Sequence, residues 1–256
     1  AIIQNSGIEA DATLKKTWGN FTWCSKLTLA IPKNKLIQFD DLENSNYSKD
    51  LMLDKPLNIA IGQHYMGVDA DSGLFRIEDP NAKLSSNLDP VFFGGIRNSF
   101  HWKRFELTTY FEFRQQKAPH FLTYVYRNLP PGQTNTYFFS NQPTALNNRW
   151  QQKGDEASWQ KVSTLTAGPV KNSISNWVNS DGQVVDASYV RLKMAQLAYT
   201  LPEKFFKQRH IKAANIYTSA ENLFTITSFK GADPELQNPF SLPLQRTFTV
   251  GLQVTL

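Results

Sequence analysis

Phe21-Thr22-Trp23-Cys24-Ser25-Lys26-Leu27-Thr28-Leu29-Ala30-Ile31 reads as one unbroken β-strand with two unlike faces. Its odd positions carry Phe, Trp, Ser, Leu, Leu and Ile, and its even positions carry Thr, Cys, Lys, Thr and Ala. Successive side chains of a strand point to opposite sides, so one face is oily and the other mostly polar. Two distant segments repeat the design. Phe105, Leu107, Thr109, Phe111 and Phe113 face one way, and Glu106, Thr108, Tyr110, Glu112 and Arg114 the other. Near the end of the chain Phe248, Val250, Leu252, Val254 and Leu256 alternate with Thr249, Gly251, Gln253 and Thr255.

Length gives the alternation its meaning. Strands of soluble domains run to about five or six residues, whereas a strand that crosses a bilayer needs about 9 to 11, tilted, with alternate residues facing lipid and lumen. The three segments reach that length. Nine strands are expected, around 4–14, 19–31, 57–66, 72–78, 91–102, 105–115, 187–200, 212–222 and 247–256, the third and fourth having the weakest pattern. In the seventh, the apolar set runs Val190, Leu192, Met194 and then shifts phase to Ala195, Leu197, Tyr199, which either a β-bulge or a strand boundary at that point would explain.

The connections are unequal. Lys103-Arg104 alone joins two strands in a tight hairpin, while 116–186 forms one long loop rich in Asn, Gln and Pro. Short turns at one end and long loops at the other suit an outer-membrane barrel. If the last strand runs toward the periplasm, 116–186 and 223–246 lie outside the cell and 103–104 and 201–211 on the periplasmic side. A nine-stranded open sheet leaves its edges unpaired. The chain therefore reads as one piece of a larger barrel, opening at Ala1 on the approach to a strand.

Composition narrows the function classes. Aromatic residues are plentiful, with 18 Phe, 9 Tyr and 6 Trp, and charged residues reach only 19%. The net charge of +5 comes without a Lys/Arg block, so it reads as a scattered, solvated surface with no nucleic-acid footprint. Cys24 stands alone, which excludes an intrachain disulfide and a Cys-rich metal site. No run of apolar residues is long enough for a transmembrane helix. His64, His101, His120 and His210 lack metal-ligand spacing. Asp233 and Glu235, set against Asp155 and Glu156, have oxygen ligands for calcium but no calcium-loop spacing, and read as turn chemistry. No catalytic, cofactor or metal residue is assigned. The candidates for ligand or partner contact are Trp150, Arg149, Tyr137 and Trp159 in the long loop, where aromatic rings and polar side chains suit a sugar or peptide; holding the loop together is the competing role.

The local text resembles a known family. Ala187-Ser188-Tyr189-Val190-Arg191-Leu192-Lys193, Leu197-Ala198-Tyr199-Thr200-Leu201-Pro202, Ser219-Ala220-Glu221-Asn222-Leu223-Phe224-Thr225 and Gly231-Ala232-Asp233-Pro234-Glu235 are similar to the C-terminal barrel region of SusC/RagA-type TonB-dependent transporters of Bacteroidetes. So are Pro243 to Leu252, Gly67-Val68-Asp69 with Asp71-Ser72-Gly73, Asp89 to Gly95 and Lys153-Gly154-Asp155-Glu156. The resemblance runs along most of 1–256. It implies the C-terminal strands of an antiparallel barrel of about 22 strands in the outer membrane. It further implies a plug and TonB box preceding Ala1, coupling to the TonB complex, a SusD-like surface lipoprotein as partner, and oligosaccharide or peptide cargo. One departure is the terminal Leu256, where the family usually ends in an aromatic residue. Competing readings are a soluble β-sandwich that binds carbohydrate, and a barrel serving as enzyme or passive porin.

Overall fold

The computed structural model describes residues 1–79, 81–126, 132, 141–165, 167–205, 211–231, 233–236 and 241–255. In chain order the strands are β1 (Ile2–Trp18), β2 (Phe21–Gln38), β3 (Ile59–Gly62), β4 (Tyr65–Val68), β5 (Phe75–Ile77), β6 (Leu84–Asn87), β7 (Phe92–Trp102), β8 (Phe105–Gln115), β9 (Lys117–Pro119), β10 (Val184–Asp186), β11 (Tyr189–Thr200), β12 (Ala213–Thr227) and β13 (Thr247–Thr255). Two helices, α1 (Phe121–Tyr126) and α2 (Pro169–Val178), lie between β9 and β10.

Seven long strands form one antiparallel sheet in the order β1-β2-β7-β8-β11-β12-β13. Directly opposed residues share a face, so the register joins the oily positions into rows across the sheet. At the tight-turn end one row runs Trp18, Phe21, Trp102, Phe105, Tyr199, Ile216 and Leu252. Its rings touch: Trp102 stacks on Phe105, and Phe105 meets Tyr199 at a centroid distance of 4.8 Å. Further rows carry Leu27, Ile96, Phe111, Leu192 and Phe224, and then Leu29, Gly94, Phe113, Val190 and Ile226. Asn98 is a polar intruder on this face, and the Trp23 indole N–H satisfies its amide oxygen at 3.1 Å. The glycine pair at 94 and 95 serves both faces. A Cβ at Gly94 would meet the Thr28 carbonyl and the Phe113 ring, and one at Gly95 would meet the Tyr110 ring.

The oily face has no second sheet over it among the described residues. Phe248, Val250 and Leu252 are 71%, 79% and 62% exposed. A sandwich core would bury this face against another sheet. From Phe21 to Ile31 the strand rises about 33 Å, or about 25 Å along the normal at a barrel tilt, the height of an apolar membrane band. The first two strands are longer than expected, 17 and 18 residues, and their hairpin continues past Ala30↔Phe93, where β7 ends its pairing. The phase change is a bulge: the register of β11 shifts between Leu192 and Met194 against both neighbours. Opposite it, Asn222 takes a left-handed φ of 53°.

Two expected wall strands are not in the wall. Segments 57–66 and 72–78 become β3, β4 and β5, strands of three or four residues paired in small ladders, β3 with β6 and β4 with β5. Their alternation is short and broken by the turn at Asp69–Gly73, and Tyr65, Val68 and Phe75 pack into a core in the loop region instead of facing outward. Removing two strands preserves the alternation of direction. Connections 39–91, 116–188 and 228–246 emerge at one end, and 19–20, 103–104 and 201–212 at the other.

Candidate functional site

The loop end is built in two layers, an outer folded unit and an inner strap. The outer unit draws on both 59–78 and 116–186. Phe75 lies at its centre with Leu122, Tyr126, Leu146, Trp159, Ile174 and Trp177, all nearly or fully buried. Helix α2 begins with Pro169 at its first turn, where the missing N–H is not needed. Ile174 and Trp177 share its buried face, three residues apart. Ser173 on that face accepts from the Phe75 N–H at 2.8 Å and donates to its carbonyl at 3.2 Å, satisfying the edge of β5. Buried Gln160 bridges the same strand and the Val170 carbonyl.

The two chain segments are also joined by polar contacts. His64 Nδ1 lies 2.8 Å from Asp181, whose second oxygen accepts from the Tyr65 N–H. The Asp181 hydrogen bond and charge raise the His64 pKa above 6.5. His120 is the opposite case. Burial against Phe121, Trp159 and Trp177 pushes it down to about 4. Its Nδ1 accepts from the Leu122 N–H at 3.1 Å, which places the ring proton on Nε2.

The proposed contact residues separate here. Trp159 is 7% exposed and belongs to the core, so its ring packs the unit. Trp150 is half-buried: its indole N–H donates to the Ala70 carbonyl at 2.9 Å, its ring covers Gly73, and Lys161 lies over it at 5.5 Å. Arg149 is half-buried beside it and donates to the Leu146 carbonyl at 3.2 Å. Tyr137 lies outside the described residues. Three of the family-like stretches meet at this point. Asp155 accepts from the Gln151 and Gln152 N–H groups, which holds its pKa down, and Gly154 N–H donates to Ala70. Lys153 reaches Asp71 at 3.3 Å.

The inner strap was not foreseen. Arg191 points to the polar face of β11 and is 2% exposed. Its guanidinium gives two bonds to Asp233 at 2.8 and 2.9 Å, one to Glu235 at 2.6 Å and one to Thr225 at 2.8 Å. Tyr189 stacks beneath it at 5.1 Å. The bulge brings Lys193 to the same side, 3.3 Å from both Glu112 and Glu235. Asp233 is therefore an ion-pair partner as well as a turn residue, accepting from the Glu235 N–H at 2.9 Å. Burial pushes its carboxyl up, but the bonds from Arg191 and Glu235 outweigh this and leave it lowered. Gln116 anchors the strap from the other side through the Pro234 carbonyl. Among the described residues no three His, Cys, Asp or Glu side chains converge as metal ligands, and the two acidic stretches weighed for calcium each serve their own partners. A polar cleft of about 500 Å³ opens between the projecting β1-β2 hairpin and Asn87–Pro90, with Ser6, Lys33 and Asp54 on its walls.

Comparison with known proteins agrees with this architecture. TonB-dependent receptor P3 of Formosa agariphila is 23% identical over 303 aligned positions, covering 98% of this chain. The chain is similar to TonB-dependent receptors along nearly its whole length. Receptor P26 of the same organism is likewise 23% identical across 99% of the chain. A solved structure of the RagAB peptide transporter superposes with a TM-score of 0.76 at 19% identity over 98% of the chain, and the importer in its open-open state with 0.71. The fold is thus that of part of a transmembrane barrel. The chain spans 28% and 29% of the two receptors and 29% of the transporter chains. No family model matches.

Proposed function

We propose that this chain is the C-terminal part of the wall, and of the extracellular rim, of a TonB-dependent importer in the outer membrane of a Bacteroidetes-like cell. The cargo is a peptide or oligosaccharide, and a SusD-like lipoprotein covers the rim. Energy comes from the TonB complex through a plug on the same polypeptide. The observation that carries this reading is the pairing of an uncovered oily face, girdled by aromatic rings at the turn end, with a folded unit at the opposite end. The likeness to a peptide transporter favours peptide cargo. The strap pinned by Arg191 lies on the polar face of β11 at the loop end, and Arg149 and Trp150 stand on the outer unit where a partner or cargo docks.

The test is co-purification from detergent-solubilised outer membranes, with peptide uptake measured on the same strain. A complex of this polypeptide with a surface lipoprotein, and uptake lost on deleting residues 141–165, is the expected result. A protein that stays in solution without detergent contradicts the reading.

A further inference from the structure

A few lysines and arginines that are far apart in the sequence meet at the turn end. Among the described residues, the three connections at the turn end hold Lys103, Arg104, Lys204 and Lys212 against one carboxylate, Glu203. The three at the loop end have the opposite balance, 16 of the 22 carboxylates against 12 of the 27 cations. Lys16 adds to the basic end, since it lies on the oily face one row in from Trp18 and its long stem reaches the turn-end rim. Lys103 sits over the Trp102 ring at 5.2 Å, and its N–H donates to the Asn20 carbonyl at 3.3 Å, joining two neighbouring turns. Lys16, Lys103, Arg104 and Lys212 are exposed beside a row whose Trp18 and Trp102 are 55% and 51% exposed.

We propose that this rim is a binding surface for anionic phospholipid headgroups of the leaflet at the turn end. The aromatic rings lie at the headgroup level, and ammonium and guanidinium groups just beyond them meet lipid phosphates. The inference rests on the membrane reading above. It adds a preference for lipid charge that barrel insertion alone does not require. Anchoring by charge at one end and a net acidic surface at the other also favours one insertion direction.

The experiment uses the full polypeptide that carries this chain, reconstituted in phosphatidylcholine vesicles with brominated phosphatidylglycerol or brominated phosphatidylcholine as tryptophan quencher. Brominated phosphatidylglycerol is expected to bind about fivefold more tightly. The preference falls to about one in the combined K16Q, K103Q, R104Q and K212Q variant, and likewise for wild type in high salt. Replacing the three lysines with arginine preserves it, and inorganic phosphate does not compete. Folding of each variant is checked by heat-modifiable migration. Equal quenching by the two lipids in wild type, or a preference kept by the glutamine variant, overturns the proposal. Tryptophans untouched by either lipid would instead bring down the membrane reading beneath it.

Discussion

The wall and the outer loop unit use the same apolar residue types and place them oppositely. In β13, Phe248, Val250 and Leu252 are mostly exposed, whereas Leu122 and Ile174 in the loop unit are wholly buried. A strand of the wall keeps its polar side for the interior and turns its oily side outward. The loop unit does the reverse, as any water-soluble domain must. One chain therefore folds against two solvents. The boundary falls at the loop ends of β8 and β11, where the ladder continues as β9 and β10 around the buried Ala118, Ala187 and Gln116.

The difference predicts how each region breaks. Trp177→Ala removes a ring stacked on Phe75 and set edge-on to Trp159, and costs the outer unit about 3–5 kcal/mol. Limited proteolysis should then cut within 141–186 while the barrel keeps its heat-modifiable migration. Arg191→Met leaves Asp233 and Glu235 without their guanidinium, a loss of about 3–5 kcal/mol to the strap. Hydrogen exchange of 228–236 should rise, with 169–178 unchanged. On the wall, Leu27→Arg places a charge on the lipid face and costs about 2–4 kcal/mol if that row lies near the midplane. Folding into vesicles, followed by urea titration, reads that effect, and the same substitution at Thr28 on the polar face should be nearly silent.

The smallest effect is the dependence on pH, and it belongs to the loop unit alone. His64 has a raised pKa, so its contact with Asp181 stabilises fully below 6.5 and fades as pH rises through the raised value. His120, lowered to about 4, stays neutral inside while the unfolded chain takes up its proton, so stability is lost as pH falls from 6.5 toward 4. The unit is most stable near pH 6.5, between the two limbs. Thermal melts of the unit in His64→Asn should lose only the alkaline limb.

The wall was legible because period-two alternation survives in any strand with unlike faces, whichever solvent the oily face meets. Phe21–Ile31, Phe105–Phe113 and Phe248–Val254 all lie in the sheet where the alternation puts them. The phase change at the bulge was legible too, since a one-residue insertion inverts the pattern. The loop unit was not. Its strands have three or four residues, too few for a period, and its core joins Phe75 to Trp159 and Trp177 across many residues of intervening chain. Helix α2 left a trace in Pro169, Ile174 and Trp177, but ten residues give little more than two turns. The Arg191–Asp233 pair was written in two of the stretches that carried the family resemblance, yet only the fold brings them together.

The most direct test of the lipid-facing wall is a cysteine scan of β13 in the full polypeptide, in vesicles and with Cys24 replaced by serine. Each position from Thr247 to Thr255 would carry a nitroxide label in turn, and its contact with oxygen and with a water-soluble relaxant would be measured. Labels at Phe248, Val250, Leu252 and Val254 should meet oxygen in the bilayer, and those between them the aqueous relaxant, in strict alternation. Uniform contact with the aqueous relaxant, or protection of all nine from both, would contradict the wall.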